Sequence, residues 1–169
     1  MDVRAATEDE IDRLARIWHD GWREAHEHLL PEELARLRTF ERLRDRLRAM
    51  LPAVRVVGAP GAPTGFCMVR DDELHQLYVS MQARGTGAAL ALVDDAEARL
   101  RAAHIEIAWL ACAIGNDRAA RFYEKCGWHR VGNTIEQVPV PDGTLPLEVW
   151  RYEKRLREHA TPNAARSNR

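Results

Sequence analysis

No stretch of the chain approaches the roughly 20 apolar residues that a membrane-spanning helix needs. The opening residues, Met1-Asp2-Val3-Arg4-Ala5, lack the apolar core of a secretory leader. Cysteine is scarce: Cys67, Cys112 and Cys126 are widely spaced and odd in number. That argues against a disulfide framework and points to reduced thiols in a cytoplasmic protein. Charge of one sign is lacking too. With 25 lysines and arginines against 26 aspartates and glutamates, the net charge is -1. No overall field draws the chain to nucleic acid or to an anionic membrane, so neither partner is expected. An anionic ligand must be held by a local site. Metal-site spacing is also missing, because His26-Glu27-His28 lacks the four-residue step that sets two ligands on one helix face. No metal is expected.

What is present reads as one domain. Its 169 residues are 46% hydrophobic and 30% charged, enough for a sizeable core under a soluble surface. Val3 to Ala5 suggests a short first strand. Thr7 and Glu10 form a capping-box pattern, followed by a helix with Ile11, Leu14, Trp18, Trp22 and Ala25 at three- and four-residue steps. Pro31 opens a second helix, with Leu34, Leu37, Phe40, Leu43 and Leu47 as its apolar stripe. The arginines between them are expected to form a solvated face. Val54–Val57 and Gly65–Val69 suggest a hairpin around Ala59-Pro60-Gly61-Ala62-Pro63, and Leu74–Val79 a third strand.

A helix with Ala89, Val93, Ala96 and Leu100 on one face comes next, then a strand from Glu106 to Cys112. Asn116 caps a further helix that Gly127 ends. Gly132–Val138 and Leu145–Leu156 form two closing strands around a Pro141-Asp142-Gly143-Thr144 turn. The order is β-α-α-β-β-β-α-β-α-β-β, an α/β (α+β) domain with a mixed, mostly antiparallel sheet flanked by helices. The domain is expected to span residues 1–157. Residues 158–169 are polar, without periodicity, and expected to be disordered.

The chemistry concentrates after the Leu74–Val79 strand, which runs into Gln82-Ala83-Arg84-Gly85-Thr86-Gly87-Ala88-Ala89. Glycines let the backbone turn tightly and present its N–H groups. A helix start adds unpaired donors and a positive dipole end. Together they suit a pyrophosphate, with Arg84 as a fixed charge beside it. Taken alone, the run reads equally well as a plain strand-to-helix turn. Two other phosphate motifs fit worse. The Gly-Lys-Ser/Thr of a Walker loop is absent, and Leu90 stands where a dinucleotide fingerprint needs its third glycine.

A second motif follows: Asn116-x-x-Ala119-x-x-Phe122-Tyr123-x-Lys125-x-Gly127-Trp128. With Gln82-x-x-Gly85-x-Gly87-Ala88 about 30 residues earlier, the segment from Glu73 to Trp128 resembles the acyl-CoA core of the GCN5-related N-acetyltransferase (GNAT) superfamily. The run Leu29-Leu30-Pro31-Glu32-Glu33-Leu34 is similar to that of many small bacterial members. The resemblance implies an N-acetyltransferase fold, with acetyl-CoA as co-substrate and an amine on a small molecule, peptide or protein as acceptor. It also implies a homodimer as a fair expectation. Backbone groups of Leu77, Tyr78 and Val79 would pair with the pantetheine arm. The N–H groups from Ala83 through Arg84, Gly85, Thr86, Gly87 and Ala88 to Ala89 would hold the pyrophosphate. Asn116 would bond the pantetheine or nearby backbone, and Ala119 and Phe122 would line the arm. Tyr123 would act as general acid beside the sulfur.

Elementary chemistry agrees with that last role. A tyrosine hydroxyl of pKa about 10 and a thiol of about 8.5 make the proton transfer uphill by only about 2 kcal/mol. The amine, with a pKa near about 10, must lose a proton first. The resemblance implies Glu73, six residues before Val79, as a candidate base; His75, on the same face by strand alternation, is the other candidate, acting directly or through water. The resemblance further implies that the first helices line the acceptor pocket, which brings in Trp18, Trp22 and His26; the same stripe also reads as core. The rival reading is a non-catalytic acyl-CoA-binding regulatory module on the same fold. A toxin acting on aminoacyl-tRNA would need a basic patch, which the near-zero net charge disfavours.

Overall fold

The apolar spacing between Pro31 and Leu47 builds two helices, not one. In the computed structural model, which describes residues 1–156, α1 (Ile11–His26) is followed by α2 (Glu32–Leu37) and α3 (Phe40–Ala49). Thr39 makes the break. Its backbone is extended, and its hydroxyl accepts from the Arg42 N–H at 3.3 Å, so a threonine inside the leucine stripe caps α3. The expected disordered tail, 158–169, lies outside the described residues.

A second expectation also needs correcting. The arginines of this segment do not all form a solvated face. Arg38 and Arg46 are half-buried, and the Arg46 guanidinium lies 4.8 Å from the centre of the Trp18 ring. Phe40 and Met50 are only partly buried against this end of the core, and the arginine stems add to its cover.

Seven strands form one sheet: β1 (Val3–Ala5), β2 (Val54–Ala59), β3 (Ala62–Arg70), β4 (Glu73–Val79), β5 (Ile107–Ala113), β6 (His129–Val140) and β7 (Gly143–Arg155). Their order is β1-β2-β3-β4-β5-β7-β6, and every neighbouring pair is antiparallel except β4 with β5. That one parallel pair follows from its connection, the crossover helix α4 (Ala88–Ala102). Helix α5 (Asp117–Lys125) joins β5 to β6. Strand β6 runs several residues longer than its apolar pattern, because it pairs with β7 from His129↔Glu153 out to Val140↔Gly143.

Each sheet face carries its own core. Leu14, Trp18, Leu43 and Leu47 pack with Phe66 and Met68 on one face. Leu92, Val93, Ala96 and Leu100 of α4 pack with Cys67, Leu110 and Trp128 on the other. All three cysteines are free thiols. No helix among the described residues is long and apolar enough to cross a membrane.

The capping box does more than start a helix. The Glu10 carboxylate is fully buried and accepts from the Arg4 guanidinium at 2.6 and 3.0 Å, the Thr7 N–H at 3.0 Å and the Gly61 N–H at 2.9 Å. It ties β1, the start of α1 and the β2–β3 turn together. The Arg4 hydrogen bond outweighs burial and, with the two backbone donors, holds this carboxyl at about 2 against an ordinary 4.5. By linkage, such a depression contributes about 3 kcal/mol of stability near neutrality. The folded value is the lower one. The contribution is therefore complete above the unfolded pKa and is lost as pH falls through about 2. Glu10→Gln is expected to cost about 3 kcal/mol by urea denaturation at pH 7. The gap from the parent chain should narrow as the pH is taken toward 2. A gap independent of pH would mean that the carboxylate charge is not its source.

Candidate active site

Strand β4 pairs with β3 along its whole length but meets β5 only at Glu73↔Trp109. Beyond that point the two parallel strands diverge. The Ser80 N–H donates to the Thr64 carbonyl at 2.8 Å. By the alternation of an antiparallel ladder, Tyr78 and Gln76 then bond back to β3. The backbone groups of Leu77 and Val79 therefore point into the gap. A strand edge inside a folded sheet is left without its partner.

The gap opens into a cavity of about 470 Å³. Its sides are β4, β5 and α5. Ala119, Phe122 and Tyr123 stand on the α5 side, with Asn116 at the start of that helix. Asn116 is also a true cap, its Oδ1 accepting from the Ala119 N–H at 3.3 Å. At the other end of the cavity lie Ala83, Arg84, Gly85, Gly87, Ala88 and Ala89. Gly85 and Gly87 have φ of +74° and +90°, and no heavy atom lies within 4 Å of where a Cβ would stand on either. The glycines are there for their backbone conformation and the open space above them. Gly87 is the residue before the first turn of α4, so unpaired helix N–H groups face this loop. Thr86 turns away from the cavity, its hydroxyl donating to the Ala83 carbonyl at 2.6 Å.

A family model for the acetyltransferase (GNAT) family matches residues 11–128. The chain belongs to that family. It is an acyltransferase, built on the fold that its solved relatives share. One is a GCN5-related N-acetyltransferase of Rhodopseudomonas palustris, 19% identical over 92% of this chain and 95% of that one, with a TM-score of 0.69. Another is the acetyltransferase YncA of Salmonella typhimurium, solved with acetyl-CoA. It is 19% identical over 98% and 99% of the two chains, with a TM-score of 0.67. A third is the PaiA N-acetyltransferase of Thermoplasma acidophilum, in complex with coenzyme A. It is 17% identical over 91% and 98%, with a TM-score of 0.62. No curated protein matches the sequence.

Within this acetyltransferase the expected bases meet. The Glu73 carboxylate is buried and lies 3.3 Å from His75 Nδ1 and 2.9 Å from the Arg70 guanidinium. It does not line the cavity, whereas His75 does. His75 Nε2 is buried and has no partner among the described residues. A register shift in the β3–β4 ladder falls between Val69↔Leu74 and Met68↔Gln76, leaving His75 as the extra residue. The candidate acid, Tyr123, is half-buried, and burial pushes its hydroxyl well above the ordinary tyrosine range. Cys112 lines the same cavity, and burial pushes its thiol up to about 12.

The helix stripe on α1 divides. His26 lines the cavity, and burial, with the charge of Arg38 adding to it, brings its imidazole down to about 4. Trp18 and Trp22 lie in the core and do not line the cavity; their rings pack edge-on or tilted against Phe66, Tyr78 and His26. The motif's Trp128 is likewise wholly buried, its indole N–H donating to Glu97 at 3.1 Å. Among the described residues no three histidine, cysteine, aspartate or glutamate side chains gather as a metal site.

Sequence reasoning looks for the acceptor pocket near Trp18 to Leu30 and Glu136 to Trp150 but singles out none of three residues there. Gly21 lets α1 lie across β4; a Cβ there would stand 2.7 Å from the Tyr78 ring. Glu24 on α1 holds both Arg84 and Arg118 by ion pairs, the Arg118 contact at 3.1 Å, across the cavity mouth. The Arg84 hydrogen bond, more than Arg118, brings the Glu24 carboxyl down to about 2. Glu136 on β6 is half-buried, and burial, then the Glu73 charge, raises its pKa. Partners 60 and 94 residues apart leave no local signal.

Proposed function

We propose that this acetyltransferase takes acetyl-CoA in the gap between β4 and β5 and transfers its acetyl group to an amino group of a small molecule or peptide. The observation that carries the reading is the unpartnered edge at Leu77 and Val79, leading into the open glycine loop at one end. The residues fit the co-substrate. An extended amide arm can complete the ladder, and a pyrophosphate can sit on the N–H groups at Gly85 to Ala89. Acetyl-CoA supplies an acyl group on a thioester, whose carbon accepts the amine nitrogen as the thiolate leaves.

The chain's own groups do the rest. His75 takes the amine proton on its unpartnered Nε2, with Glu73 holding the ring through Nδ1. This refines the choice between them: Glu73 is the positioning group and His75 the base. The Val79 N–H, pointing into the gap, faces the oxygen that gains charge. Burial favours the protonated form of Tyr123, which suits it to donate a proton and not to take one. The burial that raises Tyr123 also raises a thiol beside it, as Cys112 shows. Burial of the same kind would raise the leaving sulfur in the same direction.

The test is direct. Purified protein with acetyl-CoA and a panel of amines is expected to release free thiol in proportion to acylated amine. Tight coenzyme A binding with no turnover on any amine would sink the enzymatic reading of this chain. The non-catalytic acyl-CoA-binding module would then stand.

One variant bears on the phosphate end. Glu24 competes with a pyrophosphate for Arg84. Glu24→Gln should therefore tighten coenzyme A binding several-fold by calorimetry, since a charge-assisted contact is freed for the ligand. Equal or weaker binding would show that Arg84 serves the phosphates best where Glu24 holds it.

A further inference from the structure

A second cavity, of about 380 Å³, lies between α2, α3 and the tip of the β6–β7 hairpin. Arg38, Arg42 and Arg46 line one side, and Pro139-Val140-Pro141 the other. One carboxylate shares it. Asp45 is already drawn toward Arg48 at 3.5 Å. The other arginines of this segment have acidic partners: Arg36 with Glu32 at 3.0 Å, and Arg44 with Asp12 at 4.0 Å. Arg38, Arg42 and Arg46 make no ion pair and no side-chain hydrogen bond among the described residues.

Arg38 and Arg46 are half-buried here and Arg42 is exposed, so three unpaired cations share one partly sheltered cavity. Arginine is seldom buried unless paired. Yet burial brings Arg46 down to about 10, with the charge of Arg38 adding to it, and burial lowers Arg38 as well. Arg42 and Arg46 stand four residues apart on one helix face, a spacing at which like charges repel. Three guanidinium forks converging on one cavity match the oxygens of a carboxylate or phosphate. The cavity also stands close behind the active site. Arg46 lies on the Trp18 ring, Trp18 is 6.2 Å from the Tyr78 ring between centroids, and Tyr78 lines the cavity of the β4–β5 gap.

We propose that Arg38, Arg42 and Arg46 hold an anionic oxygen group of the acyl acceptor, so that the acceptor is an amine that also carries a carboxylate or a phosphate. The anion recognises the arginine cavity while the amine reaches His75. The statement about the acceptor rests on the transferase reading above; the anion site itself does not.

Two measurements separate these. Calorimetric titration with glutarate and with inorganic phosphate needs no turnover. Saturable binding of at least one is expected, weakened tenfold or more in Arg46→Met and in Arg42→Gln. The second variant sits at an exposed position and leaves the Trp18 stack intact. The stronger of the two probes identifies the oxyacid. No binding of either, or binding equal in parent and variants, overturns the anion site.

Thiol release is then compared for matched amines: an amino acid against its decarboxylated amine, and phosphoethanolamine against ethanolamine. The anionic member of one pair should be preferred at least tenfold in kcat/KM, and Arg46→Met should reduce that preference tenfold or more. Neutral amines turned over as well as anionic ones would overturn the acceptor class while leaving the transferase reading intact. Anion binding without turnover of any amine would overturn the acceptor class and the transferase reading together, with the arginine site still standing.

Discussion

Replacing Tyr123 by phenylalanine is expected to lower kcat about 100-fold and to leave coenzyme A affinity within about twofold, in keeping with what a positioned general acid contributes. The substitution removes one oxygen. The ring stays packed against Phe122 and Tyr152, whose centroids lie 5.6 and 6.3 Å away. The Tyr123 carbonyl still accepts from the Trp128 N–H at 3.0 Å, so the turn after α5 is undisturbed. What disappears is the donor for the departing sulfur. A co-substrate filling the cavity that Tyr123 lines would keep water from taking the donor's place. The loss should appear in kcat and in kcat/KM equally, the pattern of a contact made only at the transition state. Steady-state thiol release and calorimetry with coenzyme A read the two quantities separately. An unchanged rate would remove Tyr123 as the acid and leave the α5 side of the gap with a purely binding role.

The second large effect concerns Gly87. Gly87→Asp should weaken coenzyme A binding at least 100-fold. Two causes act together. A residue with a side chain is strained at φ +90°. A carboxylate at the start of α4 would also occupy the donors, and the positive dipole end, that a phosphate needs. Gly87→Ala separates them, since it carries the strain without the charge; the space around this position accepts a methyl group with no contact. Its affinity should fall between parent and aspartate. Normal coenzyme A binding by Gly87→Asp would overturn the cradle.

Much of this was legible in the chain. The element order, the mostly antiparallel sheet and the glycine loop ahead of a helix follow from spacing, capping residues and turn chemistry, all of which act over a few positions. The placement of Gly85, Gly87, Asn116 and Tyr123 around one cavity was readable because their motifs sit at strand and helix ends. The split at Thr39 was also a local signal: a good cap inside an apolar stripe. The stripe masked it. Other features were not local. Arg46 looks like any solvated arginine until α3 is laid against Trp18. Trp18, Trp22 and His26 share one periodicity, yet only His26 reaches the cavity, a division set by how α1 crosses β4 at Gly21. That His75 lines the cavity while Glu73 does not goes with a register shift that strand alternation does not foretell.

The single pairing of β4 with β5 has a consequence for how the molecule holds together. Strands β1 to β4 form one hydrogen-bonded half-sheet and β5 to β7 another. Along their common border, ladder contact is limited to Glu73↔Trp109, with the Trp109 N–H donating to the Asp72 carbonyl at 3.1 Å. The border is a seam closed at one end. A ligand that bonds along the open length acts as the missing strand and fastens one half-sheet to the other. Occupancy and cohesion then become linked quantities, so whatever fills the seam protects the fold in proportion to how tightly it binds.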